Sequence, residues 1–388
     1  MTLVNRRLAL SGLFSAIALI THTTAVSAQQ VEQSLLRFVP NRMAHYHVPG
    51  LSLACTHNGT VEWNQAFGVA RVGGEPVTPG TLFQASSISM PVTAVAVLRL
   101  VETGKLNLDV DVNQYLRSWK IPANRFTELK KGTLRELLSH TAGATVHGFG
   151  GYAAGQKVPT LLHVLKGESP ANSAPVTIDF VPGTKFQYAG SNYTIIQQIL
   201  IDVTGKSFPD LMQQLVLQPH HMIHSTFQQP VPEQLRHLIA MPYDKDGNAI
   251  AGGPHTFPEM AVAGLWTTPS DLALFALAVQ DAFAGKPGAI LSSSTAREML
   301  EPVLGFYALG FSIAGNGPNR YFSHPGANPG FLAFFFAYEK GDGVVLMANS
   351  QCSKALMLEI IHATPSRDNM DGPNSRQNRH SAILGSSA

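Results

Sequence analysis

A chain of 388 residues, 45% hydrophobic and only 13% charged, has the composition of a core-rich globular protein, neither fibrous nor disordered. Its formal charge is +2 with histidines neutral, and its lysines and arginines are scattered, so nothing points to nucleic acid as a partner. Two cysteines, Cys55 and Cys352, are too few for a disulfide-dependent scaffold; both lie beside predicted strands, as a bridge or as two thiols.

In chain order, Arg6 and Arg7 precede an apolar run from Leu8 to Ile20, and Val26-Ser27-Ala28 supplies the small residues of a cleavage site. This reads as a secretory signal peptide over 1–28, so the mature chain is expected to be periplasmic or secreted. The apolar run is short for an anchor, and no later segment is long and apolar enough to span a membrane.

"LSLACTHNGTVEWNQAFG" reads as two strands joined at Asn58-Gly59, the strongest short hairpin signal. A broadly apolar helix follows from Ser87, with Gly104 suited to the left-handed position past its end. From 105 to 255 the signals are helix and loop. Helices are expected from Thr133, over "SNYTIIQQILIDVTG", and after a Ser207 cap, whereas 148–185, rich in Gly, Pro and Ala, reads as a loop lining the cleft. Thr268, Pro269 and Asp271 start another helix. Short Gly-bounded apolar runs between 307 and 350 then read as strands, and a last helix covers Cys352 to His362. Strands at both ends around a helical block define an α+β fold. Its sheet domain comprises 29–104 and 256–364, with a helical insertion at 105–255 and a disordered tail at 365–388.

No G-x-S-x-G elbow, H-E-x-x-H, P-loop or paired C-x-x-C is present. Six stretches carry a resemblance instead: "VPGLSLACTHNGTVEWNQAFG", "FQASSISMPVTAVAVLRLVETGKLNLDVDVNQYL", "LRELLSHTAG", "FVPGTKFQYAGSNYTIIQQILIDVTGKSF", "AGLWTTPSDLALFALAV" and "SHPGANPGF". Together, from about Val39 to His362, the chain resembles the serine β-lactamase and penicillin-binding-protein superfamily, in its class C-like, esterase and D-Ala-D-Ala carboxypeptidase branch. The resemblance implies an antiparallel sheet flanked by helices, with an inserted, mostly helical region and the active site between them.

The family's S-x-x-K motif places a serine nucleophile at a helix N-terminus and a lysine base one turn on, where positions i and i+3 are neighbours. Ser87 matches the serine, but Met90 stands at the lysine position, and a thioether has no useful basicity. The tyrosine motif maps to Tyr188-Ala189-Gly190; Tyr188 carries over, and the donor expected at Gly190 is absent unless Asn192 approaches. The third motif maps to His324-Pro325-Gly326, with His324 orienting a substrate carboxylate or assisting proton transfer. Gly326 lets the strand approach an acyl group, and the N–H groups of Ser87 and Ala327 are the implied oxyanion hole.

His220, His221 and His224 cluster in "PHHMIH" without an adjacent carboxylate, so neither metal nor cofactor is expected, and His140 reads as structural. Three readings follow: a serine hydrolase acting on a small-molecule or peptide acyl substrate, weakened by loss of the base; a pseudoenzyme that binds an acyl or peptidoglycan-like ligand; and a structural or partner-binding protein. The sequence carries no signal for an oligomeric state.

Overall fold

The structure is a computed structural model that describes residues 28–363, with side chains from Leu35 to Ile361. The segments read as signal peptide and tail lie outside the described residues, save Ala28, where a first helix, Ala28–Tyr46, begins.

Six strands form one antiparallel sheet in the order β2-β1-β8-β7-β6-β5. They are β1 (Gly50–His57), β2 (Thr60–Gly68), β5 (Ser312–Ala314), β6 (Tyr321–Asn328), β7 (Phe331–Tyr338) and β8 (Gly343–Ala348). The short pair β3 (Phe83–Gln84) and β4 (Trp266–Thr267) stands apart from it. Asn58 and Gly59 join β1 to β2 with φ of +48° and +76°, the left-handed pair that a tight hairpin turn needs.

The apolar run of β7 follows from cover on both faces. Phe331, Ala333 and Phe335 face the main core, while Phe334 and Phe336 face a second core formed with the first helix and the last, Lys354–Ala363. These two helices are tied by Arg42, whose Nη2 donates to Glu359 Oε1 at 2.6 Å, and by the Tyr46 hydroxyl donating to the same oxygen at 2.7 Å. On the opposite face lie the helices Ser89–Glu102 and Pro269–Phe283, the latter capped by Thr268 accepting from Asp271 N–H.

Between residues 105 and 255 the chain is helix and loop, with caps at Thr133 and Ser207 where expected. One correction falls here. The stretch 148–185 is not all loop, since Leu161–Lys166 is a helix closed by a Thr160–His163 capping box and ended by Gly167 at φ +64°. Cys55 is buried and Cys352 half-buried, and both are free thiols, so no bridge joins them.

Candidate active site

The segment around Ser87 is shaped by strands on either side. Phe83 pairs with Thr267 and Gln84 with Trp266, and Ala85 N–H then donates to Leu265 O at 2.9 Å. The chain turns sharply at Ser86, which is buried with φ of +54°, an uncommon conformation for a residue with a side chain. Ser89 fastens the turn: its hydroxyl donates to Ser86 O at 2.6 Å and accepts from Leu265 N–H at 3.1 Å. Ser87 therefore does not open an α-helix as expected. It lies in a 3-10 turn, Ser86–Ile88, ahead of the helix Ser89–Glu102, and its side chain makes no cap bond. The hydroxyl is left free for other partners.

β6 presses on this turn. A Cβ on Gly326 would lie 2.3 Å from Ala85 O and 3.2 Å from Ser86 Cβ, so glycine is needed for contact with the serine turn itself. Gly326→Ala is expected to lower stability by about 1–3 kcal/mol, the usual cost of overpacking. Thermal denaturation checks this, and an unchanged Tm would show that the turn yields. β5 pairs with β6 only as far as Ser323, and His324 to Ala327 beyond that point line the cleft.

Ser87, Tyr188, His324, Pro325, Gly326 and Ala327 line one cavity of about 620 Å³. Met90 lies fully buried behind Ser87, and the Tyr188 hydroxyl donates to its Sδ at 3.6 Å. Burial pushes the Tyr188 phenol up to about 12, and its hydrogen bond with Ser87 offsets this in part. A thioether only accepts, so the Tyr188 proton points at Met90 and the phenol oxygen is free to accept from Ser87.

His324 is buried in the middle of β6. Its Nδ1 is 2.6 Å from Pro325 O, which can only accept, so Nδ1 carries the proton. Nε2 then accepts from the Tyr307 hydroxyl at 2.9 Å. Burial holds the ring down at about 4, hence neutral. Asn192 and Gly190 also depart from expectation. Asn192 is fully buried with its amide 3.1 Å from His140 Nδ1, so it supplies no donor to the cleft. Gly190 is packed so that a Cβ would meet Val262 at 3.0 Å and Phe149 at 3.3 Å, and it does not line the cavity.

The 148–185 stretch contributes no wall to the cavity. His147, Phe186, Phe306 and Tyr307 do, and of these only Phe186 had a visible signal, two residues before Tyr188 in the same stretch. His140 joins the site from behind, its ring 4.3 Å from that of Tyr188 and 4.9 Å from that of Tyr307. Among the described residues no cluster of His, Cys, Asp or Glu could hold a metal ion, the 220–224 histidines included.

Comparison with known proteins places these features in a family context. The family model described as Beta-lactamase matches residues 35–359. Protein flp of Staphylococcus aureus (strain N315) is 26% identical over 251 residues, 64% of this chain and 47% of that protein. Unguisins hydrolase ungD' of Aspergillus campestris is 26% identical over 202 residues, 50% of this chain and 36% of that protein. The chain thus spans less than half the length of these curated relatives. Among solved structures, the octameric penicillin-binding protein homologue from Pyrococcus abyssi superposes with a TM-score of 0.71 at 25% identity, covering 85% of this chain and 77% of that one. SurE, solved with D-Leu, shares the fold at a TM-score of 0.67 and 22% identity, over 86% of this chain and 75% of that one.

Proposed function

Because this chain belongs to the beta-lactamase family, we propose that it is an exported serine hydrolase that transfers acyl groups through Ser87 and turns over slowly. The observation that carries this reading is the hydrogen bonding at Tyr188, whose oxygen faces Ser87 while its proton faces Met90. Ser87 Oγ attacks the carbonyl carbon of an ester, amide or D-Ala-type peptide, and its proton passes to a Tyr188 phenolate. The N–H groups of Ser87 and Ala327 hold the developing oxyanion. Tyr188 then protonates the leaving group, and water releases the acyl chain from Ser87.

The weakness lies in reaching the phenolate. Met90 accepts a hydrogen bond but cannot take a proton, so Tyr188 must first lose its own to solvent. With a phenol at about 12, the ionised fraction at pH 7 is about 10⁻⁵, far from the matched value an efficient base needs. Esters and activated acyl donors are the substrates such a base serves best, since their leaving groups need least help. His324 contributes as the neutral acceptor that fixes Tyr307 in the cavity wall.

The buried thioether also favours a second reading, in which the cleft binds an acyl or peptidoglycan-like ligand without turnover. A fluorescent alkyl fluorophosphonate separates the two. The hydrolase reading expects a covalent adduct that Ser87→Ala abolishes. No adduct, together with saturable binding of an acyl ligand, would give the second reading.

A further inference from the structure

We infer that His140 is the positioning residue of Tyr188, a platform that sets the phenol between Ser87 and Met90; this rests on the hydrolase reading above. His140 follows the helix Leu134–Leu138 and holds φ of +56°, where glycine or asparagine is the ordinary choice. That conformation drives its ring into the interior, fully buried. Nδ1 receives the Ala189 N–H at 3.3 Å, and since a backbone N–H can only donate, the ring proton sits on Nε2. Nε2 has no partner among the described residues, and a buried unsatisfied donor costs about 1–3 kcal/mol. Two local penalties at one position, strained backbone and an unsatisfied donor, mark a site where something other than stability is served.

What they accomplish is control of the tyrosine segment. Gln187 N–H donates to His140 O at 2.9 Å, Ala189 N–H donates to its ring, and the ring itself lies against that of Tyr188 at 4.3 Å. From the other side, His147 Nδ1 donates to Tyr188 O at 2.8 Å and Gly190 N–H donates to His147 O at 2.9 Å. The peptide that follows Tyr188 is thus clamped by imidazole on both its carbonyl and its N–H, and the His140 ring lies nearer the phenol ring than that of His324 does, at 4.3 Å against 6.2 Å. Tyr193 and Tyr307 pack against the His140 ring and His324 against that of Tyr188, none of them charged at neutral pH.

His140→Asn is the informative variant. Asparagine tolerates positive φ and keeps an acceptor for Ala189 N–H, but removes the ring. The readouts are Tyr188 ionisation, followed by NMR of ¹³Cζ-tyrosine protein and assigned with Tyr188→Phe, and Ser87 labelling by the fluorophosphonate. The variant should let water reach the phenol, so that its titration falls from about 12 toward the ordinary 10.0. Labelling per ionised tyrosine should fall by about 10²-fold, the scale of a misplaced reacting group. An unchanged Tyr188 titration, or labelling within about twofold of the original at equal ionisation, overturns the proposal. If the unaltered protein takes no label, the hydrolase reading fails, and the titration alone decides the role of His140.

Discussion

Met90→Lys should raise the rate of Ser87 acylation by about 10²–10⁴-fold, the range that a positioned general base contributes. The side chain at 90 is fully buried one helical turn after Ser87, and its sulfur already accepts from Tyr188. A lysine there inherits the same partner with a group that can take a proton. Burial would depress its pKa and leave a large neutral fraction at assay pH, which is the condition for basicity. The measurement is the second-order rate of fluorophosphonate labelling, with hydrolysis of a p-nitrophenyl ester alongside. A rate within about threefold of the original would mean that Met90 does not occupy the base position, whatever its sequence register. The gain carries a stability cost. A lysine with a depressed native pKa is charged in the unfolded chain, so stability falls as pH drops from about 10 toward the native value. The variant should therefore melt lower at pH 7 than at pH 9, whereas the unaltered protein has no such term at position 90.

Much of this fold was legible because its signals are local. Asn58-Gly59 required a hairpin, and Thr133, Ser207 and Thr268 each accept the N–H that an N-cap should. The helix Leu161–Lys166 escaped because it is six residues long in a Gly- and Pro-rich stretch, and its capping box uses His163 where glutamate or glutamine is the usual signal. Ser87, Tyr188 and His324 could be singled out because each sits in a motif with a fixed neighbourhood, and the three line one cavity. Their partners could not be. Tyr307 reaches His324 across 17 residues, and His140 reaches Tyr188 across 48, with no periodicity linking either pair. Gly326 was read as room for an acyl group, and its packing against Ala85 became visible only once β6 was seen against the serine turn. Asn192 failed as a cleft donor because the His140 ring, itself read as merely structural, claims its amide.

The pH dependence of labelling tests the tyrosine base most directly. Below a phenol pKa of about 12, the phenolate fraction grows in proportion to hydroxide, so labelling should climb about tenfold per pH unit between about pH 7 and 10. Subtracting the signal from Ser87→Ala removes background reaction of the probe. Tyr188→Phe should lower labelling across this range by about 10²–10⁴-fold, to the rate of an unassisted serine. A histidine base would behave differently. His324 is held at about 4 and His140 at about 3, so either would give a profile already flat at neutral pH. Readings should stop near pH 10 for a reason set by the same shift. The Tyr188 phenol ionises at its ordinary value of 10.0 when unfolded and at about 12 when folded, so stability is lost as pH rises between them. In Met90→Lys the slope should disappear over the pH range where the lysine is neutral, because the proton of Ser87 then has a destination that does not depend on hydroxide. A steep profile in the unaltered protein and a flat one in Met90→Lys would locate the whole deficit at residue 90. A flat profile in both would remove Tyr188 from the mechanism.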